Sequence, residues 1–255
     1  MSPRGYALFD LDHTLLPHDT QVLFCNFVLQ KQGEGWRRIY ALWFIPLIPL
    51  AILKLVSLRT MKRVFSSYLW KMPEERVRNY AREFAETVVS HVAYEQSVAE
   101  LKQHQAEGRI TILNSASPEF YVEEIAKMWG FDHFLGTNLI LKNPMPFLPE
   151  ITGPNNKHGA KITAMRERGL LPDGFDESDP EARLPDSYAY SDSSADVPLL
   201  SVCEDGTMVH PSSRFAEIGA ERGWDTWSPP RPYSSKMGDR WAQIRQALGI
   251  YKIPE

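Results

Sequence analysis

Short apolar runs alternate with stretches of helical periodicity along most of the chain. Residues 5–10 (GYALFD) form an apolar run that ends in a carboxylate, and residues 109–114 (RITILN) form a second run of strand length. Such runs predict buried β-strands, and the helix-like segments between them predict an α/β fold with a Rossmann-like, doubly wound, mostly parallel sheet. Further strands are predicted within 134–141, 188–191 and 207–209, and helices over 95–107, 161–168, 195–202 and from about 118 to 129.

The alternation is interrupted directly after the first strand. Residues 17–93 contain helix-like stretches rich in aromatic residues and arginine. An insertion at this point would lie above the carboxyl edge of the sheet, where such folds bind ligands. We therefore predict a catalytic core formed by residues 1–16 and 94–227, a helical cap over 17–93, and a linker with a C-terminal amphipathic helix over 228–255. The apolar face of that helix is predicted from Trp241, Ile244, Leu248 and Tyr251.

The composition is that of an ordinary globular protein. Hydrophobic residues make up 43% and charged residues 24%, which excludes disorder throughout. Lys plus Arg is 28 and Asp plus Glu is 32, a net charge of −4, so no nucleic-acid partner is expected. Cys25 and Cys203 are too few for a disulfide scaffold or a cysteine-built zinc site and suit a reducing compartment. Asp10 interrupts the first apolar run, so no signal peptide is predicted and a cytoplasmic location is expected.

Polar residues follow several predicted strands at the point where each strand ends. Asp10 and Asp12 follow the first strand, and taken alone such a pair is most often part of a solvated turn. Ser115 follows the second strand, where its hydroxyl and the adjacent backbone N–H groups favour either anion binding or helix capping. For capping, Ser117 is the better candidate. Lys161, Asp192 and Asp196 lie at the start of a helix or on a loop that enters one.

Together these residue types supply what phosphoryl transfer requires. Mg²⁺ prefers hard oxygen ligands, which the carboxylates of Asp10 and Asp192 and the main-chain carbonyl of Asp12 can provide. A carboxylate beside the ion can attack phosphorus and form an aspartyl-phosphate. A second carboxyl two residues on can protonate the leaving alkoxide and later deprotonate water. Lys161 and Ser115 would then hold the equatorial phosphoryl oxygens.

The sequence resembles the haloacid dehalogenase-like phosphatase superfamily over roughly residues 6–224. FDLDHT, the Ser115 element, Lys161 and YSDSSAD occur in the order of its four motifs, and the helical insertion is similar to the cap of the phosphoserine-phosphatase-like branch, subfamily IB. The resemblance implies a Mg²⁺-dependent phosphomonoesterase with Asp10 as nucleophile and Asp12 as general acid/base. It also implies that Ser115, Ala116 and Lys161 bind phosphate, that Asp10, Asp12 and Asp192 hold the metal, and that Thr14 and Asp196 support the site.

Two positions depart from the common family pattern. His13 stands where a glycine is usual, and both a substrate contact and a local packing role stay open for it. Lys157 competes with Lys161 for the phosphate-binding role, although Ile162 and Met165 give Lys161 the better helical context. Metal-independent dehalogenation is not expected, because members with that activity lack the second aspartate.

The most apolar stretch, residues 41–58, allows two interpretations, which predict different substrates. It approaches the length of a membrane span, but Pro46, Pro49 and Lys54 interrupt it. One interpretation is a buried pair of cap helices. The other is that residues 37–63 contact the anionic inner face of a membrane peripherally. The basic residues that flank the stretch are Arg37, Arg38, Arg59, Lys62 and Arg63.

Two substrate classes and one non-enzymatic role therefore follow from the sequence. Phosphatidylglycerophosphatase C, within the resembled branch, has a similar apolar segment, which makes a lipid phosphate one candidate. Phosphoserine or another small alcohol phosphate is the other. The alternative to an enzyme is a non-catalytic, membrane-associated binding protein with the same fold.

Overall fold

A six-stranded parallel sheet forms the centre of the computed structural model, which describes residues 5–253. The strands lie in the order β3-β2-β1-β4-β5-β6, and every pair is parallel. This confirms the predicted α/β, Rossmann-like class. The strands are β1 (Tyr6–Phe9), β2 (Ile110–Pro118), β3 (His133–Thr137), β4 (Ser187–Ser191), β5 (Asp205–Val209) and β6 (Asp225–Trp227).

The first strand is apolar throughout because it is buried on both faces. Alternate residues of β1 point to opposite sides of the sheet. Ala7 and Phe9 join the hydrophobic cluster that continues into the cap, whereas Tyr6 and Leu8 join a second cluster on the other face. Neighbouring strands lie on both sides, with Tyr6 paired to Ile110 of β2 and to Ser187 of β4. The central strand therefore ends, at Asp10, in the middle of the carboxyl edge.

Helices connect the strands as the periodicity predicts, with two differences. The first is that β2 continues to Pro118, with a register shift after Asn114, and the following helix has no side-chain N-cap. The alternative in which Ser117 caps this helix is therefore wrong. The second is β6, a short and largely exposed strand with no apolar run to reveal it. The core helices are α7 (Glu95–Ala106), α8 (Glu119–Trp129), α9 (Ala160–Glu167), α10 (Val197–Ser201) and α11 (Ser213–Arg222).

Residues 17–93 are helical, as predicted for a cap. Asp19 caps the first cap helix, accepting hydrogen bonds from the backbone N–H groups of Gln21 and Val22. The cap helices are α1 (Thr20–Gln30), α2 (Ala41–Phe44), α3 (Leu47–Ile52), α4 (Leu58–Phe65), α5 (Glu74–Phe84) and α6 (Ser90–Val92), with short 3₁₀ segments at Gly35–Tyr40 and Ser66–Leu69 and a π segment at Ala85–Val89.

The apolar stretch 41–58 forms the short helices α2 and α3, which meet near Pro46. Neither helix contains a buried residue, and Ile52 is 75% exposed. The interpretation as a buried helix pair is therefore wrong. No helix within residues 5–253 is both long and apolar enough to cross a membrane.

The basic residues that flank this stretch mostly bind the protein itself. Arg37 is buried and donates to Glu34 and to two backbone carbonyls. Arg38 donates to the carbonyls of Leu248 and Gly249. Arg59 and Arg63 donate to carbonyls within residues 148–153. These contacts hold the four guanidinium groups against the protein, but only Arg37 meets a carboxylate, so the positive charges of the other three are not neutralised.

A C-terminal helix, α12 (Lys236–Ala247), packs against α1, but of the predicted apolar face only Tyr251, beyond the end of the helix, is buried. Trp241 and Ile244 are exposed, while Ala242 and Gln246 are buried. The contact is partly polar: the Gln246 amide lies 3.2 Å from Nδ1 of His18. The tyrosyl hydroxyl of Tyr40 donates to the last carbonyl of the helix, that of Ala247.

Candidate active site

A buried lysine joins two carboxylates at the carboxyl edge of the sheet. Lys161 Nζ lies 2.6 Å from Asp10 Oδ1 and 2.7 Å from Asp196 Oδ2, and its side chain is 1% exposed. Lys161 stands in the first turn of α9, which Ile162 and Met165 anchor in the core. The Ser191 hydroxyl donates to Asp196 Oδ2 at 2.8 Å. Of the two candidate lysines, it is thus Lys161 that contacts Asp10.

Thr14 connects the first strand end to the loop after β4. Its hydroxyl lies 3.3 Å from Asp10 Oδ2, and it accepts a hydrogen bond of 3.0 Å from the backbone N–H of Asp192. This contact fixes the start of the Asp192 loop beside Asp10. Six of the predicted residues line one cavity of about 340 Å³: Asp10, Asp12, Ala116, Lys161, Asp192 and Asp196.

Burial, and repulsion between the aspartates, disfavour the ionised form of the carboxyl groups in this cavity. Burial raises the pKa of Asp10 to about 8; Lys161 opposes the shift, and Asp196, Asp192 and Asp12 add to it. Burial, followed by repulsion from Asp196 and Asp12, raises the pKa of Asp192 to about 7. Lys161 remains positively charged, because its two carboxylate partners outweigh burial and raise its pKa.

The donor set suits a hard cation. Five aspartates and three lysines line the cavity, only Lys161 among the lysines is paired with an aspartate, and a divalent ion would compensate the surplus of negative charge. Within residues 5–253, no group of three His, Cys, Asp or Glu side chains is arranged to hold a metal ion. The carboxylates of Asp10 and Asp192 both line the cavity, and Mg²⁺ accepts a small number of carboxylate ligands completed by other oxygens and waters.

Asp12 is held by the start of the cap and by the end of β2. Its Oδ1 accepts from the Thr20 backbone N–H at 2.8 Å and from the Thr20 hydroxyl at 2.6 Å, and its Oδ2 accepts from the Ser117 hydroxyl at 2.7 Å. Thr20 and Ser117 were not predicted as site residues. The hydroxyls lie 3.0 Å apart although the residues are 97 positions apart, so no local pattern reveals them.

Ser115, like Thr14, is a predicted site residue that does not line the cavity. It is fully buried, and its hydroxyl accepts from the Ser117 backbone N–H at 3.0 Å. At this point Ala116 and Ser117 line the cavity wall. The buried Asn156 amide donates to the Ser115 carbonyl at 2.8 Å, which holds the turn in place.

Lys62, from cap helix α4, reaches into the cavity. Its Nζ donates to the Ala116 carbonyl at 2.7 Å and to Asn155 Oδ1 at 2.5 Å. Burial lowers its pKa, while the charges of Asp19 and Asp12 act against the shift. No local pattern distinguishes Lys62 from the other basic residues beside the apolar stretch. It is a cap residue in direct contact with the predicted phosphate-binding turn.

His13 occupies a left-handed backbone position, with φ of 58°. Such a conformation is ordinary for glycine and strained for most other residues, which explains the glycine usual at this position. His13 lines the cavity, and its Nδ1 lies 3.3 Å from the Tyr233 hydroxyl, which also donates to the Pro17 carbonyl. The segment before α12 thus contacts the turn that carries Asp12.

The fold and this cavity define a Rossmann-like enzyme with a helical cap. The family model of haloacid dehalogenase-like hydrolases matches residues 7–201. The chain therefore belongs to the haloacid dehalogenase-like hydrolase family.

Relatives with known names span most of the chain at low identity. A histidinol-phosphatase of Neisseria meningitidis is 23% identical over 87% of this chain and 97% of its own length. A probable phosphatase of Mycobacterium tuberculosis is 28% identical over 62% of this chain and 52% of its own length.

Solved structures share the fold. A Bordetella pertussis protein of unknown function is 26% identical, covers 88% of this chain and 98% of its own, and superposes with a TM-score of 0.69. A phosphoserine phosphatase, solved as an analogue of the phospho-aspartyl intermediate, is 16% identical, covers 98% of this chain and all of its own, and has a TM-score of 0.53. The second likeness concerns the fold alone.

Proposed function

We propose that the chain is a Mg²⁺-dependent phosphomonoester hydrolase that works through an aspartyl-phosphate on Asp10. The observation that carries the proposal is the common cavity of Asp10, Asp12, Lys161 and Asp192 at the carboxyl edge of the sheet. Family membership supports the reaction class. Mg²⁺, when bound by Asp10, Asp192 and the Asp12 carbonyl, would neutralise charge on the phosphoryl group and keep both aspartates ionised.

In the first half-reaction, an Asp10 carboxylate oxygen attacks phosphorus and the bond from phosphorus to the ester oxygen breaks. Asp12, in its protonated form, gives its proton to the leaving alkoxide, so the alcohol departs neutral. The Ser117 and Thr20 contacts keep the Asp12 carboxyl in place for that transfer. In the second half-reaction, Asp12 takes a proton from water, the oxygen attacks phosphorus, and inorganic phosphate leaves Asp10 free.

Lys161 and the turn at 115–117 complete the phosphate site. The ammonium of Lys161, already 2.6 Å from Asp10, stands beside the position where the phosphoryl oxygens gather charge. We assign the backbone of Ala116, which lines the cavity, to the same oxygens. Ser115, whose hydroxyl faces the Ser117 N–H, is assigned to holding the turn. Thr14 and Asp196 position Asp192 and Lys161.

The test is phosphate release from an aryl phosphate, with Asp10→Asn and a matched Asp173→Asn control. Asp173 lies exposed in the loop before β4, so the control removes the same charge away from the cavity. We expect Asp10→Asn to lower kcat at least about a thousandfold, as loss of a nucleophile does, and Asp173→Asn to change little. EDTA should abolish turnover and Mg²⁺ restore it. An Asp10→Asn protein with a tenth or more of the activity would remove Asp10 as nucleophile.

The covalent step has its own assay. Acid-quenched enzyme incubated with a ³²P-labelled substrate should carry acid-stable label that hydroxylamine releases, as an acyl phosphate would. Asp10→Asn protein should carry none. Turnover without any trapped label on Asp10 during a steady state limited by hydrolysis would argue for direct attack by water.

The substrate is left as a small alcohol phosphate or a lipid phosphate. The name of the Neisseria relative supports an amino-alcohol phosphate, and the named structural neighbour supports trying phosphoserine. A panel of histidinol phosphate, phosphoserine, phosphatidate, phosphatidylglycerophosphate and sugar phosphates separates these classes. Failure to turn over any of them, with Mg²⁺ binding retained, would favour the non-catalytic binding protein instead.

A further inference from the structure

A second cavity lies against the catalytic one. This apolar groove, of about 550 Å³, is formed between the cap and the C-terminal helix. Its volume falls within the range of small-molecule sites, and its walls are mainly hydrocarbon. Its apolar walls are Val22, Phe44, Ile48, Ile52, Phe65 and Ile244.

The apolar groove and the catalytic cavity share part of their walls. Asp19, Gln21, Met61 and Lys62 line both. These residues belong to the N-terminal end of α1 and to α4, so the two cavities adjoin between these helices. Lys62 is the residue that donates to the Ala116 carbonyl in the catalytic cavity. A ligand held at Asp10 can therefore extend into the groove over the side chain of Met61.

Apolar surface continues to the rim of the catalytic cavity itself. Leu58 lines that cavity and is 70% exposed, and Ile52 and Ile244 are exposed on the two sides of the groove. Exposed hydrocarbon of this extent in a concave site marks a place that a ligand covers. The polar residues of the groove lie at its edges: Asp19, Gln21 and Lys62 adjoin the catalytic cavity, and Arg240 and Gln243 lie on the α12 side.

We propose that the apolar groove binds the alcohol portion of the substrate, and that this alcohol carries a linear apolar chain. The inference rests on the proposed phosphomonoesterase function and adds the substrate class. The phosphate would lie at Asp10 and Lys161, and the chain would leave it past Gln21 and Met61 to lie between α3 and α12. Ile52 and Ile244, on opposite walls, are then residues that determine specificity.

The size of the effect follows from the area that the chain buries. A fully buried methylene is worth about 0.8 kcal/mol, a factor of about four, and a half-buried one about a factor of two. Between ethyl phosphate and octyl phosphate there are six methylenes, so kcat/KM should rise between about 60-fold and about 4,000-fold.

The experiment measures kcat/KM for ethyl, butyl, hexyl and octyl monophosphates with Mg²⁺, below the concentration at which octyl phosphate forms micelles. In parallel, calorimetry compares binding of ethylphosphonate and octylphosphonate, which the enzyme does not cleave. Ile52→Gln and Ile244→Gln should each reduce the octyl-to-ethyl ratio at least tenfold. Leu55→Gln, equally exposed but outside the groove, should keep the wild-type ratio. Melting temperatures verify that each variant is folded.

The outcomes separate the two proposals. If the aryl phosphate and all four alkyl phosphates are left intact, the proposed function fails, while tighter binding of octylphosphonate than of ethylphosphonate still supports the groove. If esters are cleaved with a flat chain-length profile, the function stands and the groove proposal is overturned. A dimer that octylphosphonate does not dissociate, together with a flat profile, would assign the groove to a second copy of the chain and equally overturn it.

Discussion

Lys161 offers a direct measure of how strongly the candidate site is tied to stability. The substitution Lys161→Met keeps the length of the side chain and removes its charge. It leaves the carboxylates of Asp10 and Asp196 without their buried partner, at side-chain exposures of 9% and 4%. At an effective dielectric constant of 20, each contact of 2.6–2.7 Å corresponds to about 6 kcal/mol of direct attraction.

Most of that attraction is offset by the cost of removing the three charges from water. The measured cost of deleting one partner of a buried ion pair is about 3–5 kcal/mol. We expect Lys161→Met to lower the free energy of unfolding by up to that amount, in urea denaturation at pH 7.5 in EDTA. The upper limit applies if Asp10 stays ionised; loss of Lys161 raises the pKa of Asp10 further, and uptake of a proton by Asp10 would reduce the cost. Adding Asp196→Asn should recover about 1–3 kcal/mol, because it removes one of the unpaired charges. Lys157→Met, an exposed lysine on the same cavity, should stay within about 0.5 kcal/mol of the wild type.

A small effect would refute this reasoning. If Lys161→Met costs less than about 1 kcal/mol, or if Asp196→Asn deepens the loss, Lys161 does not balance a buried carboxylate pair. A single variant too unstable to purify is still informative, since the double variant should then regain a cooperative transition. A double variant that remains unfolded would contradict the charge argument.

Two further predictions concern the contact between α1 and the C-terminal segment. Burial, with a contribution from the charge of His13, lowers the pKa of His18 to about 4, so the folded state favours neutral His18. The free energy of unfolding should therefore fall by about 3 kcal/mol as the pH drops from 6.5 to 4. In urea titrations, the free energy of unfolding should fall less steeply with pH for His18→Gln, and an unchanged pH dependence would contradict the assignment. Gly249 has φ of 67° and an added Cβ would lie 2.5 Å from Leu29 Cβ, so Gly249→Ala should cost about 2–4 kcal/mol. Gly33→Ala, at φ of 81° in open space, should cost only about 1–2 kcal/mol, and equal losses would show that the Leu29 contact is unimportant.

The core of the fold and most of the candidate site can be predicted from local sequence, because the carboxyl ends of parallel strands lie at one edge of the sheet. A strand buried on both faces must be apolar, so the residue after it is easily located, as Asp10 shows. Lys161 is located in the same way, from the helical pattern of Ile162 and Met165. In each case the functional side chain lies within a few residues of a periodic pattern, and the topology of the sheet brings these side chains together.

Residues that reach the site from the cap carry no comparable local signal. Lys62 is 54 positions from Ala116 and 93 from Asn155, its two acceptors. Thr20 is 97 positions from Ser117. Beside an apolar stretch, a lysine has the same pattern whether it faces water, a membrane or a buried carbonyl. Only the packing of the cap on the core distinguishes these, and that packing is set by contacts far apart in sequence.

The C-terminal helix shows the same limit from the opposite direction. Periodicity places Trp241 and Ile244 on one face, and a helix normally buries its apolar face. Here α12 instead buries Gln246, because the Gln246 amide lies at hydrogen-bond distance from His18. Arg38 donates to the two carbonyls that follow the helix. Ile244 is left at the wall of the apolar groove. An apolar face that the chain does not cover for itself needs another occupant, and the groove's position beside Asp10 makes the hydrocarbon of a bound substrate the occupant that the geometry favours.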